Sequence, residues 1–232
     1  MRPLHPAMSV NAQYSLARPE SPASRIAGHQ RRKMYRAFMA ASGIGPDETI
    51  LDVGATSDRD YSHSNYLVAW YPHKPRVTAI GIDDASHLEA EFPGVRVLRG
   101  DGRALPLAGR SCDWAHSSAV IEHVGSEAEQ TAFLRELWRI ARKGIFVTTP
   151  NRWFPVEFHT VLPLLHWLPK PLHRRALVGL GREFFATEAN LNLLSRADLL
   201  RMARNAGIGA AEIRTVGLLG WPTNLLLVAY RG

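Results

Sequence analysis

The sequence is poor in cysteine and in long apolar runs, and each shortage excludes a class of protein. Cys112 is the single cysteine, which excludes a disulfide framework within the chain and any multi-cysteine zinc site. No apolar run reaches the roughly 20 residues of a membrane-spanning helix. The N-terminal stretch also lacks the apolar segment of about 7 to 15 residues that marks a secretory signal. We therefore expect a cytoplasmic protein, with peripheral attachment to an anionic membrane left open.

Lysine is scarce as well, so the basic charge of the chain comes mainly from arginine. Lysine and arginine number 28 against 21 acidic residues, for a formal net charge of +7, and only four of these cations are lysines. The arginines are scattered, which is typical of a solvated surface. The net charge favours anionic partners, and it leaves a nucleic acid, an acidic membrane and an anionic metabolite open.

Short apolar strands alternate with helical segments after an N-terminal stretch rich in proline. Residues 1–23 are predicted to be flexible, and a helix is predicted over 24–41. Short helices are expected near 65–71 and 86–91. Five strands are predicted in TILDVGA, RVTAIGIDD, VRVLRGDG, SCDWAHSSAVIEHV and IFVTTP.

Two stronger helices complete the pattern. SEAEQTAFLRELWRIAR is predicted to begin after Ser126 and to end at Gly144, with Arg142 and Lys143 in its last turn. SRADLLRMARNAG precedes a terminal strand pair, AAEIRTVGLL and NLLLVAY, joined at 220–223. The alternation predicts an α/β fold in one domain, residues 24–232, built on a doubly wound, mostly parallel sheet with an antiparallel terminal strand pair.

Acidic residues lie near or at the ends of three predicted strands, namely Asp52, Asp83 and Asp101. The carboxyl ends of the strands in such a sheet border one crevice, so we expect these carboxylates in a single ligand site. A carboxylate after the second strand can accept from both hydroxyls of a ribose, and one after the third can accept from an adenine amine. Gly54 allows the backbone to approach a ligand closely. The set favours an adenosine site, although polar residues also follow apolar strands into ordinary loops.

These residues belong to a series of motifs that resembles a known family. ILDVGATSD, AIGIDDAS, RGDGRALPL and CDWAHSSAVIEHV occur in this order, followed by FLRELWRIARKGIFVTTPNRW. The series resembles the successive motifs of class I S-adenosylmethionine-dependent methyltransferases, and is closest in style to the type 11 group. The resemblance implies a Rossmann-like methyltransferase fold and S-adenosylmethionine as the cofactor. It also implies cofactor contacts from Asp52, Gly54, Asp83, Asp101, Gly102, and Ser117 or Ser118.

The first motif departs from the family pattern DxGxGxG, because only its first glycine, Gly54, is present. Thr56 stands at the position of the second glycine, and its hydroxyl could bond the carboxylate of the cofactor. The downstream acids are intact, so we interpret the loop as altered and still functional. A dinucleotide-dependent oxidoreductase is disfavoured, because GxGxxG is absent and Asp83 comes 29 residues after Gly54.

Four candidate residues for the acceptor side lie further along the chain. His116, Glu122 and His123 follow or end the fourth strand and are expected to face the acceptor, although a supporting role in the fold is also open for His123. His159 is the predicted catalytic base, with Glu157 placed to orient it, and a structural or surface role is equally open. No metal site is predicted, because the histidines lack a tight ligand spacing with carboxylates.

Residues 151–192 interrupt the alternation with an aromatic, proline-rich insertion in which apolar side chains lie close to cations. This composition favours a lid over a hydrophobic acceptor or attachment to an anionic bilayer, and simple packing over the sheet is the alternative. The predicted function is methyl transfer to a small-molecule or lipid-like acceptor. A non-catalytic ligand-binding module and, less favoured, a nucleic-acid methyltransferase stay open. The methylated atom and the oligomeric state are left undetermined.

Overall fold

A seven-stranded sheet forms the centre of the protein in a computed structural model that describes residues 21–59 and 63–232. Its spatial order is β3-β2-β1-β4-β5-β7-β6. The first five strands are parallel, and β7 runs antiparallel to both β5 and β6. This confirms the doubly wound sheet with an antiparallel terminal pair. The strands are β1 Ile50–Val53, β2 Val77–Gly81, β3 Arg96–Arg99, β4 Cys112–Ser118, β5 Ala141–Pro150, β6 Ala211–Leu218 and β7 Trp221–Tyr230.

Helices cover both faces of the sheet, and short 3-10 turns occupy 74–76, 121–123 and 165–167. One apolar cluster joins α4 and α7 to the sheet, and a second joins α1, α2 and α3 to the sheet. None of the helices in the described ranges is long and apolar enough to cross a membrane. The helices are α1 Pro22–Ser42, α2 Tyr66–Trp70, α3 His87–Glu91, α4 Glu127–Ile140, α5 Lys170–Gly179, α6 Glu183–Ala186 and α7 Arg196–Asn205.

The first helix begins two residues before its predicted start. Ser21 caps it, because the Ser21 side chain accepts a hydrogen bond from the amide of Ser24 at 3.2 Å. Most of the predicted flexible segment, residues 1–20, lies outside the described residues.

Two further predicted boundaries are wrong, both where a strand of the sheet begins. Helix α4 ends at Ile140, whereas the sequence pattern carried it on to Gly144. Arg142 and Lys143 lie in β5, because the backbone from Ala141 onwards pairs with β4. Likewise β7 begins at Trp221, so the last turn is shorter than predicted. In both places a sheet partner that is distant in the sequence overrides the local pattern.

The insertion leaves the sheet and returns to it at one place, because Asn151 and Leu194 form an isolated bridge. Its first part is a loop, 155–164, closed by a bridge between Val156 and Pro163. Its second part contains α5 and α6, which share a small apolar cluster of their own. The insertion therefore has internal packing in addition to its contacts with the sheet.

Candidate active site

A cavity of about 300 Å³ opens beyond the carboxyl ends of β1 to β4. The loops after these strands form one wall, α1 forms a second, and the insertion closes a third side through Phe158 and His159. Six of the predicted cofactor residues line it: Gly54, Thr56, Asp83, Asp101, Gly102 and Ser118. The part played by α1, through Ala27, Gln30, Arg31 and Met34, was not predicted, because its polar, arginine-rich sequence indicates only an ordinary surface helix.

Asp52 lies below this cavity and does not line it. Its Oδ1 accepts a hydrogen bond from His116 Nδ1 at 2.7 Å, and Nε2 of the same imidazole lies 3.0 Å from the Tyr66 hydroxyl. All three residues are buried, so they form a polar chain inside the core. Asp52 supports the cofactor loop from beneath, and the expectation that His116 faces the acceptor is wrong.

Ser117 is also placed away from the cavity, unlike its neighbour Ser118. The Ser117 side chain is fully buried, and its hydroxyl donates to the carbonyl of Val53 at 2.7 Å. Successive side chains of a strand point to opposite faces, so only one serine of the pair can reach a ligand. The structure selects Ser118, whose hydroxyl also contacts Thr148 at 2.8 Å.

The altered glycine loop is held in shape by a side chain that sequence reasoning missed. Gly54 has φ +116, and a Cβ there would lie 2.1 Å from a methyl group of Val120. The backbone of Thr56 lies outside the left-handed region, so it does not need a glycine. Asn65 braces this residue: its amide group donates to the Thr56 carbonyl at 3.0 Å and accepts from the Thr56 N–H at 3.1 Å. The brace explains how the loop tolerates the loss of the second glycine.

Asp101 is oriented by Arg103, another residue that sequence reasoning did not single out. The guanidinium contacts both carboxylate oxygens at 2.8 to 3.1 Å, and it also binds Glu129 at 2.6 Å. Hydrogen bonds to Asp101 raise the pKa of Arg103 against the opposing effect of burial. The forked guanidinium therefore holds the carboxylate in one orientation at the edge of the cavity.

At the side of the cavity that the insertion closes, the carboxylate of Glu157 organises the 155–164 loop. One oxygen accepts from the backbone N–H and Nδ1 of His159 at 2.8 and 2.5 Å, and the other accepts from the N–H and hydroxyl of Thr160 at 2.7 and 2.6 Å. Burial alone would raise the pKa of Glu157, but the charge of His159 and these hydrogen bonds hold it at about 2. Burial alone would lower the pKa of His159, and the Glu157 carboxylate outweighs it, so that pKa is raised.

His159 also lies next to Glu122 and His123. The sequence did not predict that these three residues meet. The candidate ligand atoms of these three residues all lie within 4.8 Å of one another. Burial raises the pKa of Glu122 and lowers that of His123 to about 3. The prediction of no metal site rested on spacing along the sequence. That spacing contains no information about contacts that the insertion makes when it folds back on the strand ends.

Comparisons with known proteins agree with this fold. Residues 51–148 match the model of the type 11 methyltransferase domain family. A probable S-adenosylmethionine-dependent methyltransferase of Mycolicibacterium smegmatis is 31% identical over 164 residues, which are 65% of this chain and 60% of that protein. The match therefore spans less than two thirds of the length of this relative.

Solved structures with much lower identity share the architecture. An S-adenosylmethionine-dependent methyltransferase from Mesorhizobium loti superposes with a TM-score of 0.62 at 15% identity, over 89% of this chain and 100% of that chain. Magnesium protoporphyrin IX methyltransferase from Synechocystis, with bound S-adenosylhomocysteine, gives 0.55 at 16% identity over 90% and 86%. At this identity, the likeness shows the fold alone.

The cavity fits the cofactor of this family. Gly54 places loop backbone along the cavity, Asp83 lies two residues after β2, where a ribose is bound in such sheets, and Gly102 follows β3 with no space for a side chain. S-adenosylmethionine is therefore the cofactor expected at these strand ends. The match of residues 51–148 to the type 11 methyltransferase domain family, the fold and the cavity all agree with similarity to S-adenosylmethionine-dependent methyltransferases.

Proposed function

We propose that the protein transfers the methyl group of S-adenosylmethionine to a small-molecule or lipid-like acceptor. The observation that carries the proposal is that Phe158 and His159 of the insertion line the same cavity as Gly54 and Asp83. Direct methyl transfer requires the donor and the acceptor to be held together in one water-excluding site. This cavity offers a place for the donor at the strand ends and a place for the acceptor beside the insertion.

Each end of the cavity has a separate task. Asp83 accepts from the ribose hydroxyls, Asp101 and Gly102 border the adenine, and the loop from Gly54 to Thr56 with Ser118 receives the methionine end. When bound, S-adenosylmethionine supplies an electrophilic methyl group on a sulfonium. The chain needs to position the acceptor and, where the acceptor carries a proton, to remove it.

His159 is the proposed group for that proton. Its Nδ1 is held by Glu157 at 2.5 Å, so the opposite nitrogen, Nε2, is the atom available to an acceptor. A carboxylate that orients an imidazole in this way also stabilises the protonated ring. The raised pKa of His159 has the same cause.

The outer surface of the insertion supports a lipid-like acceptor. Within the described ranges, eight of the eleven exposed large apolar side chains lie between residues 153 and 180, and Arg175 and Arg182 are exposed beside them. Apolar groups flanked by cations suit contact with an anionic bilayer. The eight are Trp153, Val161, Leu164, Trp167, Leu168, Leu172, Val178 and Leu180.

Activity can be tested with methyl-labelled S-adenosylmethionine and membrane lipid extracts, alongside a panel of small hydroxylated and amine acceptors. Label in an organic-soluble product, together with S-adenosylhomocysteine, is the expected result. The His159→Asn variant should retain cofactor binding in calorimetry and lose turnover. Cofactor binding with no conversion by the wild type in any acceptor pool would contradict the proposal and favour a ligand-binding module.

Membrane contact has its own test, with a matched pair of leucines. Leu164 and Leu219 are both exposed and both have positive φ, which aspartate tolerates, but only Leu164 lies in the insertion. Leu164→Asp should reduce sedimentation with phosphatidylglycerol-containing vesicles, whereas Leu219→Asp should not. Two results would count against a role of the insertion: wild-type protein that sediments equally with phosphatidylglycerol-containing and pure phosphatidylcholine vesicles, or an equal loss of sedimentation in both variants.

A further inference from the structure

We propose that Glu122, His123 and His159 bind a divalent first-row transition-metal ion at the acceptor end of the cavity. The site rests on geometry that is independent of the methyl transfer itself. Its chemical consequence rests on the proposed function, because the ion then acts on the methyl acceptor.

An unpartnered oxygen on Glu122 is the first observation. The Glu122 side chain is fully buried, and its Oε2 accepts from the Thr149 hydroxyl at 2.9 Å. Its Oε1 has no hydrogen-bond partner among residues 21–59 and 63–232. A buried carboxylate oxygen without a partner is costly, and a cation removes that cost. This oxygen lies 3.9 Å from Nε2 of His123 and 3.9 Å from Nε2 of His159, so it faces both imidazoles.

The orientation of both imidazoles is the second observation. The Nδ1 of His123 lies 2.6 Å from the backbone carbonyl of Asn190, which can only accept, so Nδ1 carries the proton. The Nδ1 of His159 is held in the same way by Glu157 at 2.5 Å. In the neutral rings, Nε2 is then the ring atom that can ligate a cation, and in both residues it faces the Glu122 oxygen. Carbonyl and carboxylate partners of this kind hold metal-ligating histidines in position in known metal sites.

The donor set indicates which ions fit. Two imidazole nitrogens and one carboxylate oxygen suit Zn²⁺ and its first-row neighbours, whereas Mg²⁺ and Ca²⁺ prefer oxygen ligands alone. Ligand bonds of about 2.0–2.2 Å require the three donor atoms to move closer by on the order of 1 Å. Movement of the 155–164 loop can bring His159 closer, because His159 belongs to the insertion and its two partners belong to the turn after β4. The 3.9 Å between Glu122 and His123 has to shorten within that turn, by rotation of the two side chains.

Three protein ligands leave a coordination position open for another oxygen. His123 and His159 both line the cavity, so the open position faces the place assigned to the acceptor. Metal sites with three protein ligands and one open position are typical of catalysis, whereas structural sites are closed. With the ion bound, Nε2 of His159 would be a ligand and not a base; the ion would lower the pKa of an acceptor hydroxyl bound at the open position, and that proton would leave to solvent.

Metal binding can be measured without any turnover. The whole chain, stripped with chelator, is titrated with Zn²⁺ in a calorimeter and with Co²⁺ by visible absorption. One equivalent of Zn²⁺ should bind, and the Co²⁺ form should show the intense visible bands of a four- or five-coordinate site. Mg²⁺ should not compete.

Variants locate the site. Glu122→Gln keeps the size of the side chain and removes its charge. We expect Glu122→Gln and His159→Asn each to weaken Zn²⁺ binding by about 100-fold or more, because even the loss of an outer-shell partner costs roughly 10–100-fold. Glu157→Gln tests that outer shell and should cost about 10–100-fold. His73→Asn, at an exposed histidine outside the cavity, is the control and should bind Zn²⁺ like the wild type.

Two results would overturn the proposal: a wild-type protein that binds no Zn²⁺ above the level of surface histidines, and Zn²⁺ affinity that is equal in wild type, Glu122→Gln and His159→Asn. If these variants fail to fold, the wild-type Co²⁺ spectrum still decides, because weak bands of a six-coordinate, water-like ion would exclude the site. Calorimetry with S-adenosylmethionine on the metal-free protein separates this outcome from failure of the proposed function. Cofactor binding does not depend on the ion.

Discussion

Replacement of Gly54 by alanine is the sharpest test of how the cofactor loop is built. Two separate costs add at this position. The backbone has φ +116, a region that side chains rarely adopt, and the new Cβ would lie 2.1 Å from a methyl group of Val120. The backbone term is about 1–3 kcal/mol for a sparsely populated conformation. The overpacking term is about 1–3 kcal/mol.

The sum, about 2–6 kcal/mol, is a large part of the roughly 5–15 kcal/mol that stabilises a typical domain. We therefore expect Gly54→Ala to lower the free energy of unfolding in urea by at least about 2 kcal/mol. Cofactor binding should fall as well, because relief of the contact moves the loop backbone away from the ligand.

A second substitution separates the two costs. Val120→Ala removes the methyl group that meets the new Cβ, so the double variant should recover part of the loss relative to Gly54→Ala, and the backbone cost should persist. Gly179→Ala is the control, because no atom lies within 4 Å of its added Cβ and its φ is not positive. A Gly54→Ala protein within about 0.5 kcal/mol of the wild type, with unchanged S-adenosylmethionine affinity, would refute this account of the loop.

Three further predictions follow from the same geometry. Asp83→Ala should weaken S-adenosylmethionine binding about tenfold or more in calorimetry, since a hydrogen bond to a charged group is worth about 1.5–3 kcal/mol. The control is Asp84→Ala, outside the cavity, which should bind like the wild type. Equal affinities of the two variants would remove Asp83 from the site. Arg103→Gln should destabilise the protein by on the order of 3 kcal/mol in urea unfolding and weaken cofactor binding, and Arg103→Lys should have an intermediate effect. No change in stability or in cofactor binding would show that Asp101 does not depend on the guanidinium. Burial raises the pKa of Cys112 to about 12, so alkylation by iodoacetamide at neutral pH should be slow in the folded protein and fast in urea; rapid labelling without denaturant would contradict the buried position.

The cofactor end shows how far local sequence information reaches. Capping serines at 126 and 195, and short apolar strands that end on acids, are local signals, and the structure confirms the helix starts and the parallel sheet they predict. The resemblance to class I methyltransferases depends on the same local motifs. Asp83, Asp101 and Gly102 could therefore be assigned to one cavity from the sequence alone.

Other features depended on contacts between distant parts of the chain. The end of α4 is set by pairing of Ala141 and the residues after it with β4, which a helical pattern cannot anticipate. The brace of Asn65 on Thr56 replaces a glycine that the family pattern requires, and no local rule predicts it.

The sequence by itself determined the acids near the strand ends, the glycine loop and the resemblance to class I methyltransferases, because these are encoded in short segments with their own backbone preferences. The tertiary structure decided that Ser118 rather than Ser117 reaches the cavity, and that His116 is buried beneath it. It also brought His159 next to Glu122. Contacts of that last kind are long-range, and their formation depends on how the insertion packs against the turn after β4, a choice made by the whole fold and not by any one segment.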